Sequence, residues 1–450
     1  MENMENMENL NAKSNVEIIS ELKRFLEEIS SSSSRMQQYK FSAKDFTRKR
    51  ILTFTLLSML ILNALKRSLS VELQDFFANF TQGKECTKQA FCEHRVKLKP
   101  EFFHAWNDVL AKNFYHYYGD RVKKWKEMLL WAMDGSTVAL PDTEELRKHY
   151  GFASNQKGDS YPVARTCVLY DVLNQIAIKG FMHPYNVSEE QVSLDCLKNE
   201  NMKEVLLLFD RGYPSYWLIY NLMEKKTHFV MRAQRNYKVI DDFLKSDQTD
   251  ICVDLCPSNR SLKKLKEMGY KIDAKTPIKV RLVKIVLDTG EIEILITNLY
   301  DKELFSIDDL KEVYSLRWGI ETFYGCIKEE LQLQQFSGIR KICIEQDFAA
   351  NLFLFNLQCL IEKQSDDYLK TVNEKRKHNY KVNKNVSWAS LKYRVVKLFI
   401  EKDTIAILSE LQYLFQKHLE PVRPNRKYPR KKKQRPDSKF YTLTNYKRAL

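Results

Sequence analysis

Asp134 and Asp210 each close a short apolar run, 128–133 and 205–209, and a glycine follows each within two residues. Short apolar runs ended by turn residues predict buried strands. A carboxylate at such a strand end projects from a sheet edge, where α/β proteins place their sites. Glu321 belongs to a second pattern. Wound as a helix from Ser306, the chain puts Tyr314, Arg317, Glu321 and Lys328 on one stripe about 60° wide. Val313, Leu316, Ile320, Phe323, Ile327 and Leu331 form the apolar face beside it. The stripe therefore borders the core, where a helix delivers groups into a cleft floored by a sheet. Arg317 and Glu321 are spaced i, i+4, which alone describes an ordinary intrahelical ion pair. Together, two strand-end aspartates and one helix glutamate would hold two Mg²⁺ ions about 3.5–4 Å apart. Hard oxygen ligands suit Mg²⁺, and Mn²⁺ takes the same donors. One ion would activate a water or a 3′-hydroxyl, and the other would stabilise the leaving oxygen.

The elements that must position these groups are legible in outline. Residues 163–170 and 175–178 predict paired strands, and helical stretches separate the strand-like runs, so the core reads as α/β. Residues 229–231, 278–286 and 292–299 predict further strands, the last two flanking the hairpin signal Asp288–Thr289–Gly290. The block 227–305 therefore reads as a β-rich insertion. Ser306 with Asp309 forms a loose capping box for a helix running to about residue 335. More helix is expected over 346–362 and 388–418.

Before residue 125 the pattern is helical, with interleaved bases including Arg48, Lys66, Arg67, Arg95, Lys97 and Lys99. This fits either a DNA-gripping domain over 37–124 or a bundle with an ordinary solvated basic face. Residues 1–36, with a threefold Met-Glu-Asn repeat and a Ser run at 30–34, are expected to be disordered or linker apart from a short helix-like stretch. Residues 363–450 read as helical with a basic tail; 421–435 holds eight Lys or Arg and no acid. Such a run binds polyanions.

Composition agrees with a polyanionic partner. The 450 residues carry a net charge of +15. The most apolar run, 51–65, is about fifteen residues long, short of the roughly twenty that span a bilayer. It reads as a buried helix, and no membrane association is expected. The acidic, polar start predicts no secretory signal. Nine cysteines without a framework suit a reducing cytoplasm. Cys86 and Cys92 near His94, and Cys252 with Cys256, lack a second ligand pair at zinc spacing and read as free thiols. His149, His183 and His228 read as structural or surface residues. Asp142 reads as a surface acid and Asp171 as a turn residue. Trp318 lies beside the polar stripe, where it could pack or touch DNA.

Three motifs carry a resemblance. Asp134–Gly135–Ser136–Thr137–Val138–Ala139–Leu140–Pro141 is similar to the first-Asp motif of the DDE transposases of bacterial insertion sequences, specifically the insertion-sequence-four group. Leu206–Leu207–Leu208–Phe209–Asp210–Arg211–Gly212–Tyr213 resembles the second. Tyr314, Arg317, Glu321 and Lys328, with two, three and six residues between them, match the signature of that group. The resemblance spans roughly 41–360. It implies a ribonuclease-H-like core (125–226 and 306–362), a mixed sheet with flanking helices interrupted by a β insertion. Asp134, Asp210 and Glu321 would be metal ligands. Tyr314, Arg317 and Lys328 would hold phosphates at the transposon end, with Arg211 and Trp318 as further DNA contacts. Arg and Lys donate well to phosphate oxygens. The related transposon-five transposase stacks a flipped base on a Trp in its insertion. This chain has no Trp between Trp217 and Trp318, so Tyr237, Tyr270, Tyr300 or Phe305 would have to substitute.

The resemblance further implies cut-and-paste transposition: a homodimer binds terminal inverted repeats in double-stranded DNA, cleaves at the ends, and joins the 3′-hydroxyls to a target. The expected location is cytoplasmic, at the nucleoid when DNA is bound. Two rivals stand beside this reading. A catalytically silent DNA-binding descendant would be expected to show a broken triad. A structure-specific nuclease would cut without joining ends.

Overall fold

The computed structural model describes residues 10–48, 51–81, 83, 85–154, 160–234, 237–287 and 290–423. The Met-Glu-Asn repeat, Asp288–Thr289 of the hairpin signal and most of the basic tail lie outside the described residues.

Nine strands form one mixed sheet among the described residues. They are β1 (Leu129–Ala139), β2 (Phe152–Ser154), β3 (Ser160–Asp171), β4 (Ile176–Pro184), β5 (Val205–Phe209), β6 (His228–Arg232), β7 (Asp250–Leu255), β8 (Ile278–Val286) and β9 (Ile292–Thr297). The order is β2-β3-β1-β5-β6-β9-β8-β7, with β4 also paired to β3. β1 runs antiparallel to β3 and parallel to β5, and β5 runs parallel to β6. The parallel centre is covered on both faces, so β5 reads as an unbroken apolar run, Val205 to Phe209. Alternate residues feed two cores. Trp131, Met133, Leu207 and Phe209 face one side; Leu130, Ala132, Leu206 and Leu208 face the other.

The Lys341–Glu362 helix is buried nearly all round because it joins both cores: Phe353 and Leu357 lie in one, Phe348 and Leu352 in the other. It packs so closely on β4 that a Cβ at Gly180 would come within 2.8 Å of Leu352 Cδ1 and 2.9 Å of Val168 Cγ2. Gly180→Ala is therefore expected to lower unfolding stability by about 1–3 kcal/mol through overpacking, as read by the denaturant midpoint. Asn356 pins the start of β4 from the same helix. Its Oδ1 accepts from the Ala177 N–H at 2.7 Å and its Nδ2 donates to the Ala177 carbonyl at 2.8 Å.

Several sequence expectations change here. Residues 10–31 are neither disordered nor linker. Leu10–Ser31 is one helix with Ile18, Ile19, Leu22 and Leu26 buried, and Asn15 donates to the Leu360 carbonyl at 2.8 Å. Ser32 is the cap of the short Ser33–Met36 helix, which accounts for part of the Ser run. The N-terminal helices share a hydrophobic cluster with the sheet, and Trp106 stacks on Phe353 at 4.4 Å, so no break in the core falls at residue 124. The apolar run at 51–65 is, as expected, a buried helix, Phe54–Leu62. No helix among the described residues is long and apolar enough to cross a membrane.

The strands of the 227–305 block join the main sheet. β6 is a core strand, and β9, β8 and β7 extend the same sheet antiparallel, with helices Lys238–Lys245 and Asn259–Glu267 between them. In place of one helix over 388–418 stand three, Lys384–Leu391, Arg394–Ile400 and Thr404–Lys417, because Tyr393 takes φ 64° and Asp403 starts a new cap.

Candidate active site

Asp134 lies within β1, opposite Val168 of β3, rather than at the strand's end. β1 runs on to Ala139 because β3 supplies a partner through Val163. Asp210 follows the last residue of β5, as the sequence suggests. β5 pairs with β1 up to Met133–Phe209, so the two aspartates leave adjacent parallel strands at the same level.

The helix after Ser306 begins with the expected capping box: Ser306 Oγ accepts from the Asp309 N–H, and Asp309 accepts from the Ser306 N–H. It does not run unbroken to residue 335. Ile307–Ser315 and Trp318–Gly325 are separate helices, followed by a π-helical turn, Cys326–Glu330. At the join the amides of Leu316, Arg317, Gly319 and Ile320 each reach back three residues, tightening the turn at Arg317. Tyr314 and Arg317 are consequently buried, at 5% and 4% exposure.

Arg317 sits among the acids. Its Nη2 donates to Glu321 Oε1 at 2.8 Å, and its charge acts on Asp134 and Asp210. Burial works against that charge, but Tyr314, Glu321 and Asp210 outweigh it and hold the guanidinium above its ordinary pKa. Asp134 is pushed up to about 7 by burial, helped by the charges of Glu189 and Asp210 and opposed by the Gly135 N–H and Arg317. Tyr314 Oη and Arg317 Nε are buried without a hydrogen-bond partner. Such atoms are costly unless a ligand satisfies them. Lys328 reaches the same strand, donating to Ser136 Oγ at 2.5 Å and to the Thr137 carbonyl at 2.8 Å. Tyr324 donates to the Asp134 carbonyl at 3.0 Å.

The structure thus brings Asp134, Asp210, Tyr314, Arg317, Glu321 and Lys328 into one region. Arg211 is exposed and lines a neighbouring cavity of about 540 Å³ with Arg232, Glu291 and Glu293. Trp318 is 51% exposed beside Arg317, whose guanidinium lies 5.3 Å from the indole ring. Of the aromatics considered for base stacking, Tyr237 Oη accepts from the Tyr216 N–H and Tyr270 Oη from Asn221. Phe305 stacks on Trp125 at 5.8 Å, and Tyr300 is exposed. Asp142 is a surface acid paired with Arg147, and Asp171 ends β3 at a turn where Tyr115 and Asn174 donate to it. His149 packs on Tyr150, and His183 on Phe181. The cysteines are free.

Among the described residues, no three His, Cys, Asp or Glu side chains stand close enough together to hold a metal ion. Glu321 is paired with Arg317. The donor chemistry nevertheless fits a hard divalent cation. Asp134 is pushed up partly by neighbouring carboxylates, a surplus of negative charge that a cation would relieve. One carboxylate that sequence reasoning missed belongs to this group: Glu189, which lies against Gly135 and Gly212. Its only sequence signal is an acid in the first turn of a helix, which is commonplace.

Comparison with known proteins follows the same residues. A family model described as a transposase DDE domain matches residues 125–357. Transposase InsG for insertion sequence element IS4, from Escherichia coli (strain K12), is 22% identical over 238 residues, covering 52% of this chain and 52% of that protein. The chain therefore matches about half the length of that curated relative. A solved piggyBac transposase synaptic complex with hairpin DNA aligns over 95% of this chain and 88% of its own, at 11% identity and a TM-score of 0.41.

Proposed function

Because this chain belongs to the transposase DDE-domain family, we propose that it is a cut-and-paste DNA transposase that binds the terminal inverted repeats of its element, cleaves at their ends and joins the 3′-hydroxyls to target DNA. The strand order β4-β3-β1-β5-β6, antiparallel then parallel, supports a ribonuclease-H-like core. The observation that carries the reading is the pair of buried, unpartnered atoms, Tyr314 Oη and Arg317 Nε, beside Asp134 and Asp210. Both are donors, and phosphate oxygens would satisfy them.

Asp134, Asp210 and Glu321 would hold Mg²⁺ or Mn²⁺, which would supply nucleophile activation and stabilise the leaving oxygen. Arg317 exchanges Glu321 for a phosphate oxygen as DNA arrives, which frees the glutamate. Lys328 is bonded to Ser136 Oγ and the Thr137 carbonyl on β1 and places its positive charge beside the phosphates. Arg211 and Trp318 supply a further cation and an exposed stacking face at the rim. Two protomers act together, since two ends must be processed, and the work is done in the cytoplasm on chromosomal DNA.

The test is the affinity of the full chain for a duplex ending in the repeat that flanks its own gene, measured without divalent metal by fluorescence anisotropy. Tyr314→Phe removes one charge-assisted donor and is expected to weaken binding about tenfold. Affinity equal to wild type would remove Tyr314 from the phosphate site.

A further inference from the structure

The carboxylate of Glu189 lies across the two glycines that follow the aspartates. A Cβ at Gly135 would come within 3.0 Å of its Cδ and Cγ, and one at Gly212 within 3.5 Å of its Oε2. A side chain at position 135 would displace it, so the glycine after Asp134 has a physical reason in this chain. Glu189 is fixed from two directions. It opens the Glu189–Cys196 helix, capped by Ser188. Arg165 on β3 pairs with its Oε1 and donates to the Tyr185 carbonyl at 3.4 Å. β3 in turn is bonded to β1, with Arg165 opposite Thr137. A helix N-terminus favours an acid in its first turn, but Glu190 would serve that purpose equally. The dipole does not explain a carboxylate laid against the backbones that carry Asp134 and Asp210.

We infer that Glu189, clamped by Arg165, is a positioning residue for the divalent cation. It holds the Gly135 and Gly212 backbones at a set spacing and so fixes the gap between the Asp134 and Asp210 carboxylates. The inference rests on the reading of those aspartates as ligands. Groups that orient metal ligands without touching the metal commonly change affinity 10–100-fold. Arg165 separates positioning from simple charge. Removing a nearby positive charge alone would tighten a cation, whereas releasing the clamp loosens it.

The experiment is a calorimetric Mn²⁺ titration of the full chain without DNA, with melting curves in the absence of metal to verify folding. Glu189→Gln is expected to weaken Mn²⁺ about tenfold or more, and Arg165→Met is expected to weaken it as well. If Glu189→Gln does not fold, Gly135→Ala takes its place, since the added Cβ displaces the Glu189 carboxylate; the same weakening is expected. Unchanged affinity in the Glu189 or Gly135 variant, or tighter binding in Arg165→Met, overturns the inference. Asp134→Asn is the control. Its loss of Mn²⁺ with an unaffected Glu189→Gln would sink this inference alone. A wild type that takes up no Mn²⁺ would sink the ligand reading together with it.

Discussion

Glu321→Gln is expected to cut DNA end cleavage more than about 100-fold while leaving end binding largely intact. Gln keeps the shape of the side chain and can still accept from Arg317, whose Nη2 lies 2.8 Å from Oε1. It removes the anionic oxygen that a divalent cation needs. Groups one step removed from a metal cost 10–100-fold when changed, so a direct ligand is expected to cost at least the upper end of that range. Ala would be a poorer test, because it also strips Arg317 of its partner and leaves a buried guanidinium searching for another. Single-turnover cleavage of a labelled repeat duplex in Mg²⁺ reads the effect. Cleavage at the wild-type rate would mean that Glu321 is only the acid half of an intrahelical ion pair.

The largest expected loss of stability lies elsewhere, at Arg95. This guanidinium is fully buried between the Lys88–Arg95 and Lys341–Glu362 helices. It donates to Asp347 Oδ1 at 2.6 Å, Gln346 Oε1 at 2.7 Å and the Cys343 carbonyl at 3.1 Å. Arg95→Met leaves Asp347 charged, buried and partly unpaired, which is expected to cost about 3–5 kcal/mol. Arg95→Met with Asp347→Leu is expected to recover part of that, since no unpaired buried charge remains, while Gln346 Oε1 and the Cys343 carbonyl still lose their donor. Burial would raise the Asp347 pKa, but Arg95, Lys66 and Ser337 outweigh it and hold the carboxyl below its ordinary value. A depressed carboxylate stabilises the fold above its unfolded pKa of about 4, and that stability is lost as pH falls through the lower folded value. Urea midpoints measured down to acid pH would show the wild type losing this contribution and the single variant losing less of it. A single variant as stable as wild type would contradict the account of this contact.

The sequence exposes the parts of the site that follow from periodicity. Two apolar runs ending near Asp134 and Asp210 predict buried strands; that they lie side by side in parallel is seen only in the structure. Helical spacing groups Tyr314, Arg317, Glu321 and Lys328, and all four do border one region. Features that depend on pairing partners were not legible. That β1 continues past Asp134 is decided by β3, which bonds it as far as Ala139. The tightening at Arg317 leaves no trace in a residue pattern that still reads as continuous helix. The 227–305 strands alternate as any half-buried strands do, so whether they extend the main sheet or stand apart is set by the β6–β9 pairing. Glu189 was invisible for the same reason. Nothing along the chain connects it with Gly135 or Gly212; only the Arg165 pairing and the helix start bring it there.

The proposed function requires this chain both to cut and to join DNA. Its most direct test is to incubate the purified full chain with Mg²⁺, a labelled duplex carrying the inverted repeat that flanks its own gene, and a target plasmid. The expected result is cleavage at the repeat boundary and labelled ends covalently joined to the plasmid. Binding with neither cleavage nor joining, in Mg²⁺ and in Mn²⁺, would contradict it and leave a DNA-binding descendant of a transposase.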